Sequence, residues 1–378
     1  MSLKIGIVTE YYYPLLGGIS ESVHNTAARL TAQGHTVKII TSNLGPHDLR
    51  NAQNGPPPPA DIIRIGRSFS IYSNGSMARV TMGKRLTGKL RATFEREKFD
   101  LLHLHSPLVP TLPMFAQFAA RCPTVGTFHT YFDRSIWYTF LKGKVQTKLV
   151  NRLGGQIAVS QSCIDALKPF LRINARIIPN GVNISEFNPD VPRLPQFDDE
   201  KKNLLFLGRL DPRNGLALMI QAFGIVRSRY PGVRLIIVGA GPLMKYYKRL
   251  VPEELAPDIH LAGPVLQERN RYYSSCDIFC SPVEKASFGI TLLEAMASGK
   301  PIVAIDNCGY REILGPKEGA LVPPRDPEAF AGAILKLLQD QDLRKETGMN
   351  GRAKALEFSW DKVVGELTGF YTEVLKRQ

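Results

Sequence analysis

Residues 4–41, KIGIVTEYYYPLLGGISESVHNTAARLTAQGHTVKIIT, decide the fold. Lys4–Thr9 is a short apolar run of strand length. Gly17-Gly18 follows, free enough in conformation for a tight turn, and Ser20 to Gln33 reads as a helix closed by Gly34-His35. Val37–Thr41 is the next apolar strand. Strand, glycine turn, helix and strand in that order form a β-α-β unit, the building block of a parallel sheet.

The same rhythm continues outward. Apolar runs at Leu101–Leu104, Thr124–Phe128, Gln156–Val159 and Ala175–Ile178 read as further parallel strands. The pattern restarts at Asn203, with strands at Leu204–Leu207 and Arg234–Val238 around a helix at Leu216–Arg229. Ile259–Leu261, Ile278–Cys280, Pro301–Ala304 and Ala320–Val322 extend it. The expectation is an α/β protein of two doubly wound, Rossmann-like domains, 1–182 and 183–360, joined through the proline-rich stretch near Pro179–Pro195. The C-terminal helix, 361–378, has an apolar face free to pack back on the first domain or against the second. Ligands of such sheets bind beyond the carboxyl ends of the strands, so two such edges facing each other predict a cleft between the domains.

Of the net charge of +14, almost all sits in the first half: residues 1–185 hold 22 basic and 9 acidic residues, the remainder 26 and 25. That asymmetry points to a polyanionic partner on the N-terminal side, an anionic membrane or nucleic acid. The five cysteines show no C-x-x-C spacing and no matching histidine cluster, which argues against a metal site and fits buried thiols in a reducing cytosol. The chain enters a strand directly from Met1 with no secretory signal. Its longest uncharged run, Leu101–Ala120, is broken by prolines and histidines and is no membrane span.

One stretch carries chemistry, Ala286-Ser287-Phe288-Gly289-Ile290-Thr291-Leu292-Leu293-Glu294-Ala295-Met296-Ala297-Ser298-Gly299. It reads as a loop, a small-residue turn and a helix opening onto the turn. Free N–H groups at the helix start suit anionic oxygens, and Glu294, one turn in, can accept from a sugar hydroxyl. A ligand combining phosphate with sugar fits. Gly239-Ala240-Gly241 is a weak dinucleotide signal, because Pro242 follows and no third glycine completes the fingerprint.

Together the motifs resemble the retaining GT-B glycosyltransferases of the large family 4 type, most of all the bacterial phosphatidylinositol mannosyltransferases. The resemblance covers essentially the whole chain. It rests on Gly17-Gly18, Thr127-Phe128-His129-Thr130, Ile178-Pro179-Asn180-Gly181-Val182, Gly208-Arg209-Leu210-Asp211 and the Phe288–Ala297 segment, in that order. It implies transfer of a hexose from a GDP- or UDP-sugar to a lipid headgroup, with no cofactor and no metal. His129, Arg209 and Glu294 are then the catalytic residues. His129 meets the transferred sugar, Arg209 the departing diphosphate, and Glu294 the ribose. Gly17, Gly18, Asn214, Ala286, Phe288, Gly289, Ile290 and Thr291 complete the donor site, and cleft closure brings His129 toward Arg209 and Glu294. Same-face attack assisted by the leaving phosphate replaces the paired carboxylates of glycoside hydrolases.

Two positions depart from the family pattern: Asn214 stands where a lysine is usual, five residues after Arg209, and Ala286 where a glutamate is usual, eight before Glu294. On the acceptor side, Ile71–Arg79 resembles the loop that meets the inositol phosphate headgroup. Tyr11, Asn74, Gly75, Ser76 and Arg79 are the acceptor residues so implied. Lys84, Arg85, Lys89 and Arg91 surround the stripe Leu86, Leu90, Phe94, as in a basic amphipathic helix lying on an anionic membrane. Base-stacking aromatics are not interleaved there, so nucleic acid ranks low. The reading is a cytoplasmic enzyme, peripheral on the inner face of the cell membrane. Its rivals are a non-catalytic binding protein on the same scaffold, a transferase for a soluble acceptor, and a nucleotide-sugar epimerase.

Overall fold

The computed structural model describes residues 2–15, 17–45, 55–73, 76–131 and 144–377, with the backbone alone at 72–73, 76–77 and 144–146. The chain divides into two units: Met1–Asn180 with Trp360–Gln378, and Gly181–Ser359.

The N-terminal unit holds β1 (Lys4–Val8), β2 (Thr36–Asn43), β3 (Asp61–Ser73), β4 (Ser76–Met82), β5 (Leu101–His105), β6 (Thr124–Phe128), β7 (Gly155–Ala158) and β8 (Arg176–Ile177). They form one sheet in the order β4-β3-β2-β1-β5-β6-β7-β8. All neighbours are parallel except β3 and β4. The strands around β1 are near-continuous apolar runs because both faces of the sheet are covered.

Two segments differ from the sequence reading. The expected acceptor loop at Ile71–Arg79 belongs to a hairpin, with Ser73 paired to Ser76; Asn74 and Gly75 lie outside the described residues. The helix Leu86–Glu97 buries its stripe Leu86, Leu90 and Phe94 in the core beside Leu102, Leu104 and Leu108. That stripe therefore serves protein packing and is not available to lipid; the basic residues around it face solvent.

The C-terminal helix, Trp360–Lys376, belongs to this unit. Gly155 makes room for it: a Cβ there would come within 2.7 Å of Phe370 and Val374. The helix also sends the Tyr371 hydroxyl to Nδ1 of His103 at 2.7 Å.

The C-terminal unit holds β9 (Lys202–Leu207), β10 (Val233–Val238), β11 (Ile259–Gly263), β12 (Ile278–Ser281), β13 (Ile302–Ile305) and β14 (Gly319–Val322). Its sheet runs β11-β10-β9-β12-β13-β14 and is wholly parallel. This is the doubly wound dinucleotide-fold order, with the switch point between β9 and β12. Helix Leu216–Arg229 packs Leu216, Met219, Ile220 and Phe223 into the core with Leu204 and Ile237.

Candidate functional site

In the C-terminal unit the loops at the carboxyl edge touch backbone to backbone. Gly239 has φ 148°, and a Cβ there would overlap the Gly208 carbonyl. A Cβ on Gly241 would come within 2.6 Å of the Leu210 carbonyl oxygen. The Leu210 N–H donates to the Ala240 carbonyl at 3.0 Å. Gly239-Ala240-Gly241 thus clamps the loop after β9, and its glycines serve close packing rather than a dinucleotide. Gly215, at φ 73°, likewise lies against the Pro282 carbonyl.

Arg209 sits at the head of that clamped loop, half exposed, with Nη2 3.1 Å from the buried Asp211 carboxylate. Asn214 does not reach outward as a lysine would. Its Nδ2 donates to the Arg209 carbonyl at 2.6 Å and closes the loop on itself. The neighbouring Arg213 donates from Nε to the Lys285 carbonyl at 2.8 Å, so it ties this loop to the next one. In that next loop the Ala286 backbone lies against Gly309, where no side chain fits. Phe288 is buried edge-on to Phe358.

Gly289, at φ 152°, starts the helix Ile290–Ala297 with no side-chain cap. Its carbonyl accepts from the Leu292 and Leu293 N–H groups. An uncapped helix start presents N–H groups and the positive end of the helix dipole. Ile290 and Thr291 are half-buried beside it.

Glu294 is engaged from within the protein. It is buried, with Arg269 Nη2 2.8 Å from Oε1 and the Tyr273 hydroxyl donating to Oε2 at 2.8 Å. Burial, with the carboxylate beside it, pushes the Tyr273 hydroxyl well above its ordinary value. Arg269 in turn lies over the Phe187 ring at 5.4 Å. Both partners escaped the sequence reading. The available signal was that a glutamate within Leu292-Leu293-Glu294-Ala295-Met296 must find a cation once buried.

In the N-terminal unit, Gly18 opens the helix Gly18–Ala32 and Gly17 caps it through its carbonyl alone, with open space where a Cβ would stand. Directly after β1 comes Glu10, also missed. It is buried and accepts from Ser68 Oγ at 2.8 Å, Thr81 Oγ1 at 2.6 Å and the Leu112 N–H at 3.1 Å. Burial raises its pKa, against the pull of those donors and of Arg79. Arg79 is itself buried, with Nη1 3.4 Å from Ser68 Oγ. Its guanidinium thus faces the Glu10 cluster. Its N–H donates to the Tyr11 hydroxyl at 3.0 Å. Ser76 opens β4.

His129 follows β6 and is nine-tenths buried. Its Nε2 lies 2.8 Å from Nδ1 of His105, the rings stacked at 5.0 Å. His103, two residues back on β5, bonds Thr127 Oγ1 at 2.7 Å, and its ring lies tilted against that of His105 with centroids 4.4 Å apart. Burial holds His129 down to about 4 and His103 to about 3, and His105 well below its ordinary value. The three rings are neutral at physiological pH. Neither His103 nor His105 was picked out as a site residue in sequence, although H-x-H places both rings on one face of a strand.

Lys84, Arg85, Lys89 and Arg91 are all exposed. Cys163, Cys276 and Cys280 are buried, but Cys122 is half-buried and Cys308 exposed, so burial explains three thiols of the five. Among the described residues no three His, Cys, Asp or Glu side chains are grouped to hold a metal. Among them, too, no helix is long and apolar enough to cross a membrane.

Comparison with known proteins covers both units. The profile of glycosyl transferases group 1 matches residues 189–354, and that of Glycosyltransferase Family 4 matches residues 16–186. A phosphatidyl-myo-inositol mannosyltransferase of Mycobacterium tuberculosis is 32% identical over 380 residues, 98% of this chain and 97% of the relative. An alpha-monoglucosyldiacylglycerol synthase of Streptococcus pneumoniae is 24% identical, over 91% of this chain and 80% of its own. Among solved structures, a sucrose-phosphate synthase from Thermosynechococcus elongatus superposes with TM-score 0.79 at 20% identity, covering all of both chains. Anabaena HepE in complex with UDP and glucose superposes with TM-score 0.73 at 20% identity, over 98% of this chain and 99% of its own. At such identities the structures share the fold.

Proposed function

This chain belongs to the group 1 and family 4 glycosyltransferases, and from that premise we propose that it moves a hexose, with retention, from a GDP- or UDP-sugar to the headgroup of a lipid such as phosphatidylinositol at an anionic membrane surface. The observation that carries the donor half is the pairing, on one sheet edge, of half-exposed Arg209 with the uncapped helix start at Gly289. In the reaction the acceptor hydroxyl oxygen bonds the anomeric carbon while the bond to the distal phosphate breaks. The hydroxyl proton passes to a phosphate oxygen. Negative charge grows on that phosphate, and a fixed guanidinium with N–H groups aimed at it stabilises the transition state more than the ground state. His129 supplies a contact to the transferred sugar.

Two relatives named for lipid products or acceptors support the lipid half. So does an inverted hairpin. β3 and β4 turn Ser68, Arg79 and Thr81 inward around Glu10 and leave Phe69, Ile71 and Met82 outside, 42%, 46% and 64% exposed. Arg67 lies over the Phe69 ring at 5.6 Å. Lys84, Arg85, Lys89 and Arg91 follow at once in the chain, and the helix Leu86–Glu97 has no acidic residue in its first turn. Cations at a helix start oppose the helix dipole, so this cluster is locally unfavourable. Apolar side chains rimmed by such charge suit an anionic lipid surface.

Calorimetry with GDP and UDP, then with their sugars, tests the donor half. Micromolar binding of one nucleotide that Arg209→Ala abolishes is the expected result. No binding to a folded sample of either, and no transfer from any sugar, would replace this reading with a non-catalytic one. Sedimentation with phosphatidylinositol vesicles tests the other half; a protein that ignores them yet glycosylates a soluble hydroxyl acts on a soluble acceptor.

A further inference from the structure

The histidine assigned to the sugar has a second histidine behind it. β5 and β6 run parallel with His105 opposite Thr127, and the two rings meet with Nδ1 of His105 2.8 Å from Nε2 of His129. Two neutral imidazoles at that distance share one proton: one ring donates and the other accepts. The far side of His105 decides which. Its Nε2 is buried and, among the described residues, has no hydrogen-bond partner. If His129 donated, His105 would accept at Nδ1 and carry its own proton on Nε2, a buried N–H with no acceptor. If His105 donates, Nε2 is a bare lone pair instead. Buried N–H groups left without an acceptor are rarer than under-satisfied acceptors.

We infer that His105 is a positioning residue, which donates from Nδ1 to Nε2 of His129 and so fixes His129 as the Nδ1–H tautomer. The inference rests on the proposed function at one point, that His129 meets the sugar. Among the described residues His129 has no other hydrogen bond, so Nδ1–H is its remaining polar atom. In that form it is a hydrogen-bond donor to a sugar oxygen. It has no lone pair at Nδ1 with which to take a proton, so it is not the base that an epimerase would need. His103 holds the arrangement from the other side. Both of its nitrogens are engaged, by Thr127 and Tyr371, and its ring rests on His105.

The test reads the tautomer directly, on the full ¹⁵N-labelled chain without substrate. Two-bond proton–nitrogen correlations at neutral pH should show His129 protonated at Nδ1 and bare at Nε2; the opposite pattern overturns the inference. His105→Leu should release His129 toward the Nε2–H form that imidazoles prefer in water. His105→Asn puts an amide N–H close to where Nδ1–H stood and should keep the Nδ1–H form. In transfer assays kcat should fall about tenfold in the leucine variant, the worth of one misaligned hydrogen bond, and recover in the asparagine variant with KM for the nucleotide sugar little changed. Equal loss in both variants would reduce His105 to packing. Because the spectrum needs no substrate, a chain that shows Nδ1–H at His129 yet transfers no sugar sinks the proposed function and leaves His105 as the tautomer-setting group. If the leucine variant does not fold, the unsubstituted and asparagine spectra still decide.

Discussion

Each unit buries one glutamate near the carboxyl edge of its sheet, and the two are neutralised in different ways. Glu10 is held by the Ser42, Ser68 and Thr81 hydroxyls and a backbone N–H, with Arg79 nearby and burial raising its pKa. Glu294 is held by a guanidinium and a phenol. The first arrangement tolerates a proton on the carboxyl. The second supplies the carboxylate with a cation inside the protein. The contrast extends to the whole edge. The N-terminal unit arms it with hydroxyls and Arg79 gathered around Glu10 and with three neutral imidazoles. The C-terminal unit arms it with close-packed backbone and fixed charge. A surface that reads hydroxyl-rich acceptors wants the first kind; one that binds a diphosphate wants the second.

Acid should separate the units most strongly. His103, His105 and His129 have folded pKa values below their ordinary 6.5. Between those values and 6.5 the unfolded chain binds more protons, so their stabilisation is fully present above pH 6.5 and lost as pH falls. The slope is up to about 4 kcal/mol per pH unit for three such groups. In the C-terminal unit His260 is lowered too, by burial and Arg234, but Asp199, Asp258 and Asp306 are depressed below 3.8 and give way only in stronger acid. Hydrogen exchange followed by mass spectrometry between pH 7 and pH 4, a window of about 3 units set by those values, should show the N-terminal unit opening first. Simultaneous opening would break the comparison.

Removing the internal cation comes next. Arg269→Ala leaves Glu294 buried without its guanidinium and should destabilise the C-terminal unit by about 3–5 kcal/mol. Arg79→Ala should cost about 1–2 kcal/mol, because Glu10 keeps its other donors and can accept a proton. Urea unfolding of the two variants compares them; equal losses would mean that both carboxylates depend on their arginines alike.

The glycines should behave as differently. Gly239→Ala drives a methyl into the Gly208 carbonyl and should cost about 2–3 kcal/mol together with nucleotide binding. Gly17→Ala meets open space and should leave melting unchanged, so that any loss of transfer reports on a ligand approaching the turn. The smallest effect belongs to the surface. Lys89→Ala should weaken binding to anionic vesicles by about 1 kcal/mol without altering stability, and Phe69→Ser with Ile71→Ser should weaken it further. An unchanged vesicle isotherm in all three would remove the hairpin from the membrane contact.

The hairpin shows why the acceptor side was harder to read than the donor side. Arg67-Ser68-Phe69-Ser70-Ile71 alternates with strand period, yet Ser68 turns inward to Glu10 while Phe69 and Ile71 stay exposed. A pattern read for burial assigns such a segment to a loop, since nothing local announces a buried glutamate sixty residues away. Arg213 and Asn214 were legible as positions and not as directions, because a turn of a few residues aims each side chain.

The sequence by itself determined the two doubly wound units, their parallel strands other than the β3–β4 hairpin, and the turns at which Gly17 and Gly289 stand. Those features follow from strand length, helical period and backbone freedom, which are local. Only the tertiary structure decided that Arg79 turns toward Glu10, that Arg269 and Tyr273 close on Glu294, and that His105 backs His129. Each of these is a meeting of side chains distant in sequence, and the register between neighbouring strands and the packing of helices on them set which side chains meet.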